Sequence, residues 1–335
     1  MKRILSLVTV IMLSSIVLSS CMKDEKPYAV PKAPESGGEF DIKNNKVTMG
    51  EDYGTQIYFS FSGGQVATSN YKVWDIAISN KTDSAELWMN GGKMVLIYPT
   101  GLTNFSDITD VNNVTDDAWR YDNPSGLSGE SGLGLLTNSN HVGKVLLVDD
   151  GEGSYFKLQI LEITSASYKI KVGKITDIAG KEVVLQRDEN YNFAFYSFAD
   201  GVIKPEPPKK DWDVLFVRYR HVYYAYNPDG SDMLYYVNGA ITNPYKTLSG
   251  AYPEKHDFYS FGLEKAEALE MLPNRDNIGF DWKSVNINTG QYTVQTENIF
   301  VIKDQNEWLW KLRFVNFYDE NNKKGSPQFE FQRLK

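Results

Sequence analysis

An all-β fold is what the sequence predicts, and three observations carry it: short segments alternating apolar with polar residues, tight-turn chemistry between them, and an ordered internal repeat. The segments come in order at residues 56–66 (QIYFSFSGGQV), 72–79 (KVWDIAIS), 143–150 (GKVLLVDD), 154–163 (SYFKLQILEI), 166–175 (ASYKIKVGKI) and 193–198 (FAFYSF). They continue at 211–226 (DWDVLFVRYRHVYYAY), 233–239 (MLYYVNG), 291–295, 299–303, 308–318 (WLWKLRFVNFY) and 328–334 (QFEFQRL). Each is short and rich in β-branched or aromatic residues, the composition of a half-buried pleated strand. SGG at 62–64, DDGEG at 149–153, NPDG at 227–230 and DENNKKGSP at 319–327 supply the Gly, Asn, Asp and Pro of tight turns. Only residues 262–271 (GLEKAEALEM) read as a helix.

The repeat is found by matching segments in order. YFSF at 58–61 answers FYSF at 195–198, VWDIAIS at 73–79 answers DWDVLFV at 211–217, and MNGG at 89–92 is matched to VNGA at 237–240. Residues 145–161 then align with 299–315, and 169–175 with 328–334. The separation grows steadily and the order never breaks, as in a duplication with insertions. The division expected is a signal segment at 1–21, a tether at 22–39, and β repeats at 40–176 and 177–335. The Trp-Asp pairs Trp74-Asp75 and Trp212-Asp213 each open a strand. They read as structural, with the indole in the core and the carboxylate capping a turn or loop amide.

Cys21 is the only cysteine, which excludes disulfides, zinc–thiolate clusters and a cysteine nucleophile from the folded part. With 35 Lys and Arg against 43 Asp and Glu the net charge is −8, and loss of Lys2 and Arg3 with the signal makes it −10. No basic run is present, so nucleic acid is not an expected partner. Lys2 and Arg3 head an apolar run at residues 4–18 that falls short of the roughly 20 residues a spanning helix needs. Leu18-Ser19-Ser20-Cys21 resembles the bacterial lipobox, which implies lipidation of Cys21 by acyl chains such as palmitate and a chain anchored to a membrane without crossing it. Asp24 and Glu25 just after it resemble the signal that exports lipoproteins to the outer face of the outer membrane. No phosphate-cradling glycine loop and no paired titratable residues are found, so the chain reads as a binding protein and not an enzyme.

The opening YFSFSGGQV…YKVWDIAIS with its counterpart FYSFADGVI…KKDWDVLFVRYR, and the ending at residues 298–334 with its K-L-x-F and KKG-x-x-x-F-x-F strands, resemble the HmuY-like family of outer-membrane haem-binding lipoproteins. The resemblance implies an all-β fold, haem as cofactor, iron acquisition from host haemoproteins, and delivery to a TonB-dependent receptor. It also implies an axial ligand ahead of the G-x-x-W that here reads GFDW (279–282), where His256 falls; the position just after the tryptophan offers neither His nor Met.

Haem iron takes His or Met ligands in an apolar slot. His221, which strand alternation places with Leu215, Val217, Tyr219 and Tyr223, and Met233 beyond the NPDG turn, are the other candidate ligands; Tyr219, Tyr223 and Tyr259 are candidate pocket walls. Each also has a plain reading: His256 as a solvated loop residue, His221 as a packed strand residue, Met233 as core. The alternative function keeps the fold and location but binds a glycan or host protein, with haem ligation lost.

Overall fold

The computed structural model describes residues 40–81 and 83–335; the signal segment, Cys21 and the tether fall outside them. Residues 40–176 supply β1 (Lys43–Lys46), β2 (Thr55–Ser60), β3 (Gly64–Asn70), β4 (Ile76–Ser79) and β5 (Leu87–Met89). They continue with β6 (Leu96–Pro99), β7 (Val145–Asp149), β8 (Tyr155–Ile163) and β9 (Ser167–Lys174). Residues 177–335 supply β10 (Lys181–Gln186), β11 (Phe193–Ser197), β12 (Gly201–Ile203), β13 (Val214–Tyr223), β14 (Met233–Thr242) and β15 (Leu248–Ala251). The α-helix α1 (Leu263–Glu267) follows, then β16 (Lys283–Val285), β17 (Tyr292–Val294), β18 (Phe300–Lys303), β19 (Leu309–Tyr318) and β20 (Lys324–Arg333). The chain is all-β. Among the described residues no helix is long and apolar enough to cross a membrane.

Four of the five sheets among the described residues come in matched pairs, the two-stranded β16–β17 sheet standing alone. Two five-stranded sheets run β1-β20-β19-β18-β15 and β10-β9-β8-β7-β6, and two four-stranded sheets run β3-β2-β13-β14 and β12-β11-β4-β5. In each matched pair the roles are the same, but the leading strands have changed places. β1 pairs with β20 and β2 with β13, whereas β10 pairs with β9 and β11 with β4. Each segment therefore gives its first three strands to the body of the other. The connection from β9 to β10 explains why. Lys174 N donates to Asp177 Oδ2 (2.8 Å) and Gly180 sits at φ +67°, so the chain turns back within six residues and β10 pairs with the strand just left.

The Trp-Asp pairs lock this exchange. Asp213 Oδ2 accepts from Phe61 N (2.8 Å) in the turn after β2, and Asp75 Oδ2 accepts from Phe198 N (2.7 Å) in the turn after β11. Trp212 stands edge-on to Tyr58 (5.0 Å) and Trp74 edge-on to Phe195 (5.3 Å). Each indole and carboxylate thus holds a hairpin from the opposite segment; Trp212 is buried as expected, whereas Trp74 is half-buried and borders a cavity rather than filling a core. One sequence match does not survive. Asn90 and Asn243, not Asn90 and Asn238, are equivalent: Asn90 donates through Nδ2 to Tyr71 O and Trp74 O, and Asn243 to Lys209 O and Trp212 O. β13 and β14 are ten residues each where β4 and β5 have four and three, which displaces the look-alike NG dipeptide.

Strand alternation sorts the cores. Ile57, Phe59, Val214 and Phe216 point into one core with Trp310, Phe314, Phe329 and Phe331 of the β1–β20 sheet and with Trp282 from the loop before β16. Ile76, Ile78, Ala194 and Tyr196 point into the other with Leu146, Leu158, Ile160 and Ile170. On the face of each five-stranded sheet turned away from these cores lies an equivalent buried lysine, over Phe105 in one and Phe258 in the other. Lys157 Nζ donates to Phe105 O and Ile108 O (both 2.8 Å), and Lys311 Nζ to Phe258 O (2.6 Å) and Phe261 O (2.9 Å), in each case tying a loop's carbonyls to the sheet.

Burial pushes Lys311 down to about 8 and Lys283, packed over the Trp282 ring at 4.0 Å, down to about 7. From these values to the ordinary 10.5 the folded chain binds fewer protons than the unfolded one, so stability rises with pH. The expected result is a urea midpoint that climbs between pH 7 and 9, at a slope of at most about 1.4 kcal/mol per pH unit per lysine. Lys283→Met removes part of the climb. The Glu206 carboxyl, raised by burial to about 7, opposes the climb at its lower end, and buried Tyr58 and Tyr219, both pushed up by burial, reverse it above the ordinary tyrosine range near 10. A midpoint that is flat or falls across this window contradicts the assignment.

Candidate functional site

The faces of the four-stranded sheets turned away from the cores look at each other. From one come Tyr58, Leu215, Val217 and Tyr219, and from the other Ala77, Trp88, Phe193 and Phe195. Gly91 and Gly92 permit close approach there, since a Cβ on Gly92 would stand 2.4 Å from Arg218 O and one on Gly91 2.8 Å from Arg220 Cβ. Two cavities lie along this junction, one of about 130 Å³ and one of about 480 Å³, and both are lined by Trp88, Gly126, Phe193 and Arg275.

The smaller cavity is aromatic with embedded charge. Glu206, 4% exposed, accepts from Asn192 Nδ2 (2.5 Å) through Oε1, and burial pushes its carboxyl up to about 7 against the pull of that amide and of Arg275. Asp122 accepts from Met89 N (2.6 Å) and Gly132 N (2.7 Å), and burial still raises it to about 6. Arg220 donates through Nη2 to Val95 O. Arg275 Nε donates to Thr242 O (3.0 Å). No signal in the sequence marked Glu206, which sits in what reads as a proline-rich linker (KPEPPKK), or Arg275 in a polar loop.

The candidates from sequence separate into two places. His221, Tyr219 and Tyr223 share one face of β13, and Met233 is the strand partner of Tyr223 on that face. The imidazole of His221 is half-buried between Tyr223 (4.6 Å, 79°) and Phe280 (4.9 Å, 68°), and its strand partner Tyr235 is 50% exposed. Among the described residues His221 makes no hydrogen bond. Beyond Phe216 the ladder to β2 ends and Gly91 and Gly92 pack against that edge of β13; on the face itself Tyr219 is buried, whereas His221, Tyr223 and Met233 are half-buried.

His256 lies in the loop before α1. Its ring packs edge-on to Tyr252 (5.9 Å) and Phe261 (5.7 Å), with Nδ1 2.8 Å from Asp257 O. Tyr259 belongs to the same loop, where its hydroxyl accepts from Arg313 Nη2 (3.1 Å) and donates to Glu330 Oε1 (3.4 Å). His141 accepts from Thr137 N (3.0 Å) inside its own turn. No histidine lines either cavity. The cavities therefore do not fit a haem iron, whereas the face at His221 offers an imidazole among aromatic rings, the donor type and the apolar surface the group takes. Among the described residues no cluster of three or more His, Cys, Asp or Glu could hold a metal ion.

The architecture is that of an all-β protein whose matched sheets exchange their leading strands. No family model matches the sequence, and no curated protein matches it. Among solved structures the chain is similar to apo PinO from Porphyromonas gingivitis at 11% identity and a TM-score of 0.34, over 88% of this chain and 98% of that one. It is similar to the apo HmuY analogue of Tannerella forsythia at 11% identity and a TM-score of 0.33, over 89% and 98%. A HmuY-like heme-binding protein from Bacteroides vulgatus is similar at 12% identity and a TM-score of 0.24, over 88% and 92%.

Proposed function

We propose that the chain is a surface-anchored outer-membrane lipoprotein that binds haem on the His221 face of the β13–β14 hairpin and yields it to a TonB-dependent receptor. The observation that carries the reading is the convergence of His221, Tyr219, Tyr223 and Met233 on one face, with the imidazole not engaged in any hydrogen bond among the described residues. His221 would hold the iron, Tyr223 and Phe280 would pack on the porphyrin with buried Tyr219 behind them, and Met233 is a soft donor on the same face. Haem supplies the iron being carried; the chain's own work is to orient the ring and keep water from one side of it. Cys21 would carry the acyl chains, with haem taken from host haemoproteins.

The test is a Soret-band titration of the full chain with haemin. Wild type and His256→Ala are expected to give the same saturable absorbance change, and His221→Ala to lose most of it. Absence of saturation in the wild type, or an unaltered His221→Ala curve, refutes the assignment.

A further inference from the structure

Four connections, β4–β5, β10–β11, β12–β13 and β14–β15, meet at the larger cavity of about 480 Å³, and amide side chains cross-link them. Asn80, just after β4, donates through Nδ2 to Asp188 O (3.0 Å) and Tyr191 O (3.1 Å) in the β10–β11 turn. Asn192, at the end of that turn, donates through Nδ2 to Glu206 Oε1 (2.5 Å) before β13 and to Asn243 Oδ1 (3.0 Å) after β14. Asn243 in turn donates to Lys209 O (2.7 Å) and accepts from Tyr245 N (2.9 Å). The walls are therefore set by the chain's own bonds, and a ligand that fits them needs to order little.

The chemistry of that ligand follows from the lining. Trp88, Tyr191, Phe193 and Tyr245 are all half-buried there, and such rings present a flat apolar face with, for Trp and Tyr, a polar edge. Among the described residues Trp88 Nε1, the Tyr191 and Tyr245 hydroxyls and Asn192 Oδ1 make no hydrogen bond, and none of them is a polar atom sealed from solvent. They remain within a ligand's reach. Four basic and three acidic side chains line the cavity, so no strong field of one sign selects a charged molecule. Several of these are already engaged: Lys209 lies over the Tyr245 ring (4.6 Å), Arg275 Nε donates to Thr242 O (3.0 Å), and Glu86 accepts from Gly129 N. An uncharged molecule with an apolar face and many hydroxyls suits such a surface, which describes a neutral sugar. The volume lies within the roughly 300–1,000 Å³ of small-molecule sites and admits a short oligosaccharide.

We propose that this cavity is a binding site for a short neutral oligosaccharide, with sugar rings against Trp88 and Tyr245 and hydroxyls on Asn192 and Tyr191. This gives a location to the glycan-binding alternative left open by the sequence, and it does not depend on haem binding at His221.

The experiment is saturation-transfer difference NMR of the full chain titrated with triacetylchitotriose, mannotriose and maltotriose. Chitosan triose and a hyaluronan tetrasaccharide serve as cationic and anionic comparisons. Saturable binding of at least one neutral trisaccharide is expected, tighter than that of either charged sugar. Trp88→Leu and Tyr245→Ala should each weaken it by roughly tenfold, with wild-type far-ultraviolet circular dichroism showing that both variants fold. Both variants should keep the wild-type haemin titration, so that failure at one place is read separately from failure at the other. Ribonuclease B, which carries a neutral high-mannose chain, is compared with ribonuclease A, which lacks it. Binding of ribonuclease B alone supports the site with a protein-linked glycan as the source, and binding of free trisaccharides but neither ribonuclease supports it with a soluble sugar. The proposal is overturned by no saturable binding of any neutral trisaccharide, by equal or tighter binding of a charged one, or by wild-type affinity in both variants.

Discussion

Trp282→Ala is expected to lower stability by about 3–5 kcal/mol, the usual cost of deleting a fully buried large aromatic side chain. Trp282 is 0% exposed and stacks face to face on Phe314 at 3.9 Å and 13°, with Phe317 edge-on at 5.6 Å. Its Nε1 donates to Gly279 O (3.2 Å), and the same glycine exchanges two backbone hydrogen bonds with Ala240 of β14. The indole thus fills the first core and closes the loop that presents Phe280 to His221. Against a total of about 5–15 kcal/mol for a folded chain, that loss is severe. Urea denaturation followed by near-ultraviolet circular dichroism measures it. A midpoint shift worth under 1 kcal/mol would mean the ring is not packed as described. Because Phe280 loses its support, haemin binding should weaken in the same variant even where it remains folded.

Arg313→Met should cost about 3–5 kcal/mol, because it leaves Glu330 as a buried charge without its partner. Glu330 is 0% exposed and accepts from Arg313 Nε at 2.7 Å, with the Tyr259 hydroxyl bridging the two side chains. The Arg313→Met, Glu330→Leu double variant should recover most of the loss, since a buried pair replaced by apolar side chains of similar volume is often neutral. A double-mutant cycle in urea reads the coupling directly. Additive effects would show that the pair is solvated, which the burial of both groups contradicts.

Much of the body could be read from residues alone. Alternation in 55–60, 214–223 and 324–333 gave strands whose apolar face is the core face, and the turn residues marked where they end. The structural role expected of Trp74-Asp75 and Trp212-Asp213 follows from an acceptor that can reach a turn amide. The helix expected over 262–271 is reduced to Leu263–Glu267, where Gly262 at the N-cap position offers no side-chain hydrogen bond. The shift from Asn238 to Asn243 as the equivalent of Asn90 shows the limit: a two-residue match has no information about how far a hairpin extends.

The sequence by itself determined the fold class and most of the strand faces, because period-two patterning and turn chemistry are local. Only the tertiary structure decided that the two segments exchange their first three strands and that His221 and His256 lie in different places. The exchange depends on pairings such as β2 with β13 and β4 with β11, between residues more than a hundred positions apart. Strand pairing over such separations is chosen by connection length and by which cores can close together, and neither leaves a periodic trace along the chain.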